Sequence, residues 1–169
     1  MTRLAAVFLS TFALALAAAG TTAAADGSYG RWEPTYQGPI TAPAGVVCPF
    51  TVTAEPVRED LRVRYHYDAA GNVDGYEATG QLIARITNEA TGASVVRNLS
   101  GPGTVTFNPD GSYDAVVHGD FLVFFLGQDT PSHQLLLLSG TTLLHGAPSG
   151  AKTLVSNDGH VENLCETLA

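Results

Sequence analysis

The chain has 169 residues, with sixteen acidic against eight basic side chains and a formal net charge of −8. That balance argues against nucleic acid and anionic membranes as partners, since both repel an acidic protein. The length suits one domain with a real core.

The chain opens Met1-Thr2-Arg3, runs uncharged through residues 4–19 and then reaches Ala23-x-Ala25. A basic start, a short apolar run and a small-residue pair are the three parts of a signal peptide, with the cut expected after Ala25. The apolar run falls short of the roughly 20 residues a membrane span needs. No cysteine follows the cut to carry a lipid anchor. The expectation is a secreted, extracellular protein, free of the membrane. Losing residues 1–25 removes one arginine and no acid, which leaves the remainder more acidic still.

Residues 26–45 hold Pro34, Pro39 and Pro43 and little apolar periodicity, so they read as an extended arm. Residues 46–169 read as a single domain of short strands. Leu61, Val63, Tyr65 and Tyr67 alternate with polar residues and share one face, the period of a half-buried strand. A glycine-containing turn at residues 68–72 leads into a longer strand at 76–87, and residues 88–92 close the next hairpin. Asn108-Pro109-Asp110-Gly111 and Ser156-Asn157-Asp158-Gly159 each join two strand-like runs and predict β-hairpins, in the first of which Pro109 presets φ and Gly111 accepts left-handed backbone. Residues 121–126 and 134–139 are the two most apolar runs, and near-continuous apolar character predicts burial on both faces. The count is about eight to ten strands in an antiparallel up-and-down meander.

Cys48 and Cys165 are the only cysteines. In an oxidising compartment they predict one disulfide. Its Cα atoms must lie within about 7 Å, so the expected first strand (residues 46–53) and last strand (160–167) come together. That favours closure into a β-barrel, which also removes exposed sheet edges; a β-sandwich is the alternative.

Chemistry is harder to find. The five histidines, His66, His118, His133, His145 and His160, include no pair at zinc-ligand spacing, so no metal and no cofactor are expected. His118-Gly119-Asp120 comes nearest, but Gly119 and Asp120 equally suit a turn. No G-x-S-x-G elbow frames a serine, and Ser100 has a following glycine and little else. Asp110 and Asp158 are explained by their turns. Arg62, Arg64 and His66 line the outer face of one strand, and a solvated face accounts for them. Two rows decide between catalysis and binding: Ile83, Arg85 and Thr87, and Asp114, Val116 and His118. Facing inward they favour catalysis; facing out they remove most of its support.

Gly30-Arg31-Trp32 resembles the G-x-W near the start of lipocalins, which implies a calycin barrel holding a small apolar ligand. Ends joined by a disulfide are also similar to some carbohydrate-binding modules, although the only tryptophan, Trp32, lies outside the cysteine-bounded domain. Residues 98–104 followed by Asp110-Gly111-Ser112-Tyr113, behind a leader and with two cysteines, resemble small uncharacterised secreted β-proteins of actinobacteria. That resemblance implies extracellular location and no established activity. Seven arginines against the single Lys152 likewise fit GC-rich bacterial coding.

The expected function is binding or a structural role, with a small apolar ligand or a protein partner, as monomer or homodimer. An extracellular isomerase, cyclase or hydrolase working in the barrel mouth is the alternative, and a carbohydrate-binding module a further one.

Overall fold

The computed structural model describes residues 27–169, so the expected leader lies outside the described residues. The described chain is all-β and antiparallel, with thirteen strands and one short helix. Three short strands, β1 (Ser28–Tyr29), β2 (Glu33–Thr35) and β3 (Ile40–Ala42), precede the long pair β4 (Val52–Tyr67) and β5 (Val73–Asn88). There follow β6 (Ser94–Asn98), β7 (Gly103–Phe107), β8 (Tyr113–His118), β9 (Phe121–Phe125) and β10 (Gln134–Leu138). The chain ends with β11 (Thr141–Gly146), β12 (Lys152–Asn157), β13 (Val161–Asn163) and α1 (Leu164–Thr167).

The length of β4 and β5, sixteen residues each, organises the main sheet. Three short strands fit end to end along β4: β1 opposite His66 and Tyr67, β2 opposite residues 61–63, β3 opposite residues 52–54. The expected arm is therefore extended, as its prolines require, and it forms the sheet's edge. Pro34 sits there without breaking the ladder because an edge strand needs amide donors on one side only. β6 and β7 share the far side of β5 in the same way, and β8, β11 and β12 continue from β7.

A bulge at Val57 brings the sequence of β4 into phase. Pro56 pairs with Ala84 and Arg58 with Ile83, so Val57 is the extra residue. Apolar residues at even positions before it (Val52, Ala54, Pro56) thus share a face with those at odd positions after it (Leu61, Val63, Tyr65). The bulge adds the single residue that such a change of phase demands.

The second sheet has the order β13-β10-β9. Leu135 and Leu137 pack with Val52, Ala54, Ala84 and Ile86 on one side. Leu136 and Leu138 pack with Ala115 and Leu144 on the other. The small sheet is inserted between two wings of the large one, which is why residues 121–126 and 134–139 are apolar on both faces. Arg97 on β6 grips Glu162 on β13 through two hydrogen bonds of 2.9 and 2.7 Å and joins the sheets at their rim. That contact with Arg97, the largest of several causes, holds the Glu162 carboxyl below its ordinary range.

Two expectations need correction. Consecutive strands do not all pair: the chain leaves the main sheet after β8 to make β9 and β10, then returns to pair β11 with β8. The cysteines do bond, with Cα atoms 5.3 Å apart across 117 residues, yet they are not on adjoining strands. Cys48 lies in the turn before β4, and Cys165 lies in α1, whose N-cap is Asn163. A disulfide demands proximity of two residues, not a ladder between their segments. β4 pairs with β5 and the arm strands, β13 with β10, and both described sheets remain open by hydrogen bonding.

Beside the disulfide, the chain's end is held by Asn88. Its side-chain amide donates to the Leu168 carbonyl at 2.8 Å, while its Oδ1 accepts from the Ala90 amide at 2.9 Å.

Candidate functional site

Between the inner face of the main sheet and the edge of β9 lies a half-open cavity of about 600 Å³. It exists because the inward rows of the central strands are small in the middle. Ala78 and Ala84 on β5, Gly103 on β7 and Ala115 on β8 line it, where bulkier residues would close it. Consecutive residues Phe121, Leu122, Val123 and Phe124 all reach it, so the cavity curls around the free edge of β9.

Its two ends differ in chemistry. At one, Tyr76, Phe107, Tyr113 and Lys152 line it, on strands whose register sets Phe107 opposite Tyr113 and places Tyr113 and Lys152 on either side of Gly146. The Tyr76 ring lies 6.1 Å from that of Phe107 and 6.4 Å from that of Tyr65, its cross-strand partner. Burial pushes the Tyr76 phenol upward, with Tyr113 and Tyr65 adding to it. Burial also raises the Tyr113 phenol, and the negative charge of Asp129 raises it further. Both are neutral hydroxyls near pH 7. At the other end, Gln37 from the arm and Asp120 from the β8–β9 corner close the space near Leu82, Leu99 and Gly101.

Lys152 is anchored from behind. Its ammonium lies 2.7 Å from Oδ2 of Asp129, whose side chain has no exposed surface. The loop after β9 delivers Asp129: Thr130 forms a parallel bridge with Thr153 on β12. The Asp129 carboxylate also accepts from the amides of Leu126 and Lys152, at 2.7 Å each. Burial alone pushes this carboxyl up; the Lys152 ammonium and the two amides outweigh it and hold the group below its usual range.

The rows that decide for or against catalysis face away from the cavity. Leu82 and Ala84 line it, so Ile83, Arg85 and Thr87 point to the other face, where Arg85 is exposed. Tyr113, Ala115 and Val117 line it, so Asp114, Val116 and His118 point outward too. Asp114 engages His145 at 2.8 Å on that outer face. Ser112 is nearby, but its hydroxyl donates to Asp110 at 2.6 Å, so the three do not form a relay. Asp110 serves its turn, accepting from the Ser112 amide, whereas Asp158 accepts from the Thr141 amide on β11, and residues 156–159 close no hairpin because β12 pairs with β11 and β13 with β10. His118 is exposed and meets Thr141, while Asp120 turns to the cavity, so His118-Gly119-Asp120 is not a joint site. Among the described residues no three His, Cys, Asp or Glu side chains cluster as metal ligands would.

The outer row of β4 is taken up by the arm. Arg64 sits over the rings of Tyr29 and Trp32, 4.3 and 4.7 Å from their centroids, and donates to Glu77 at 2.7 Å. His66 pairs with Asp74 and meets the edge of Tyr29. Gly30-Arg31-Trp32 thus belongs to an arm clamped on the outside of the sheet.

Sequence reasoning singled out neither Lys152, Asp129 nor the donor role of the tyrosines. The available signal was small: the only lysine of the chain opens a strand, and Tyr113 begins a row of otherwise apolar inward residues. No helix among the described residues is long and apolar enough to cross a membrane. Comparison of the chain with protein-family models, with curated proteins and with solved structures finds no match.

Proposed function

We propose that this is a secreted binding protein that carries a small apolar molecule in the cavity between its sheets. The carrying observation is the cavity itself, about 600 Å³ and walled by alanine, leucine, valine and aromatic side chains. That volume lies in the usual range of small-molecule sites, roughly 300–1,000 Å³. An apolar surface left open to water is unfavourable by about 25 cal/mol per Å², so an apolar occupant gains by covering it. The leader-like start and the disulfide support an extracellular setting. In this reading the curled main sheet does the work of a lipocalin-like barrel interior, with the inserted sheet as its plug. The bacterial secreted proteins it resembles give a consistent setting. The outward direction of Arg85 and Asp114 favours binding over catalysis.

The test has two parts. Native mass spectrometry of the protein from its own culture medium is expected to show a retained small molecule. The purified chain is expected to take up the apolar fluorophore N-phenylnaphthylamine, and Ala78→Trp, which fills the floor, is expected to abolish uptake while the protein stays folded. A folded wild-type protein that takes up no probe overturns the proposal.

A further inference from the structure

We infer that the occupant is an elongated apolar molecule with one hydrogen-bond-accepting head, a carbonyl or carboxylate, held by Lys152, Tyr76 and Tyr113. This rests on the binding reading above and specifies its ligand class.

The Lys152 ammonium has three protons, and Asp129 takes the contact at 2.7 Å. The Asp129 oxygens are already occupied, by that ammonium and two backbone amides, and the side chain is sealed from solvent. Asp129 therefore fixes the ammonium in place without offering the cavity an acceptor. The phenols of Tyr76 and Tyr113 have no hydrogen-bond partner in the described chain. Because no partnerless side-chain polar atom there is buried, both hydroxyls remain accessible. The ammonium only donates and each phenol can donate as well, so an acceptor head meets three donors here, whereas a cationic donor head meets a like charge.

The far end has the opposite character. Asp120 brings a carboxylate and Gln37 an amide. They stand about a strand's length from Tyr113, ~17 Å for a six-residue strand. An acceptor head is drawn to Lys152 and repelled by Asp120, so the ligand has one preferred direction. The apolar walls between them take a chain or flat hydrocarbon body and give it no further polar partner.

The experiment uses the intact secreted chain and ligands that share one alkyl tail: dodecanoate, methyl undecyl ketone, dodecanol and dodecylammonium, each displacing N-phenylnaphthylamine. Dodecanoate and the ketone are expected to displace the probe at about tenfold lower concentration than dodecylammonium, the discrimination one charge-assisted hydrogen bond supplies. In Lys152→Met that advantage, read as the ratio between heads so that any change in probe affinity cancels, is expected to fall about tenfold. The double variant Lys152→Met/Asp129→Asn removes both charges while the Asn oxygen still accepts from a backbone amide, and is expected to show the same loss. Equal displacement by all four heads, preference for the ammonium, or an acceptor preference unchanged in the double variant overturns this inference and leaves the cavity reading standing. Failure of the folded wild type to take up the probe overturns the cavity reading itself.

Discussion

The amide of Gly119 donates to the carbonyl of Gly140 at 2.8 Å, and both residues hold positive φ, +92° and +89°. They are the points where the chain leaves the main sheet after β8 and rejoins it at β11. Tying them together sends β9 and β10 inward as a plug and leaves the β9 edge beside the cavity.

That corner tolerates no side chain. A Cβ on Gly140 would lie 2.4 Å from Oδ1 of Asp158, which itself accepts from the Thr141 amide. Gly140→Ala is expected to lower stability by about 1–3 kcal/mol, since it adds both strain and a clash. Gly38→Ala, where nothing lies within 4 Å and φ is not positive, is the control and is expected to be near neutral. Urea unfolding of the two variants checks this.

A different glycine shapes the cavity. A Cβ on Gly146 would stand 1.9 Å from Cε1 of Tyr113, so the tyrosine ring lies on bare backbone. Gly146→Ala is expected to push the ring into the cavity, costing about 1–3 kcal/mol as overpacking does. Uptake of N-phenylnaphthylamine is expected to weaken in parallel. Unchanged uptake by Gly146→Ala would show that Tyr113 does not bound the site.

The Lys152–Asp129 pair gives a pH signature. Asp129 has a folded-state pKa below its unfolded value of about 3.9. Its contribution is therefore present above that value and lost as pH falls through the folded pKa. In Lys152→Met the carboxylate keeps only amide donors, burial dominates, and its pKa rises, so acidification relieves the variant. Near pH 7 the variant is expected to be about 2–4 kcal/mol less stable, below the full cost for a completely buried pair because Lys152 keeps some water. The gap is expected to narrow as pH falls through the variant's raised pKa and to go on narrowing down to the lowered folded pKa of the wild type. Denaturant unfolding across that range checks it; a gap independent of pH contradicts the account.

Loss of the disulfide acts on a loop of 117 residues. The chain-entropy model gives roughly 4–5 kcal/mol for a loop of that size. The paired Cys48→Ser/Cys165→Ser variant is expected to lose most of this, while β13 keeps its place through Arg97 and Glu162. Thermal unfolding gives the size of the loss, and hydrogen exchange is expected to rise first in α1 and in the turn at residues 44–50.

The arm depends on Arg64. Arg64→Ala removes two ring contacts and the link to Glu77, each worth about 0.5–1 kcal/mol at a partly exposed site. The emission of Trp32, the only tryptophan, is expected to shift to the red as its ring gains water. The Gly30 amide, bonded to Tyr65 at 2.7 Å, is expected to exchange faster.

The sequence by itself determined the class of this protein. Period-two runs such as residues 61–67 can bury one face only as strands, and Pro109 with Gly111 can be read as a turn because their backbone preferences are local. The apolar runs at 121–126 and 134–139 implied two buried faces, and the inserted sheet supplies them. Two cysteines in one chain implied their bond. What lay beyond local chemistry was decided only by the tertiary structure. Strand order depends on which partner a sheet edge meets, and nothing local to Gly119 says that the next strand turns inward. The bulge at Val57 changes which face a residue takes and leaves no clear mark on composition. The aromatic end of the cavity is further removed still: Tyr76, Tyr113, Lys152 and the Asp129 behind it come from four separate segments. Their joint chemistry exists only because the sheet curls and the loop after β9 carries a carboxylate behind the single lysine.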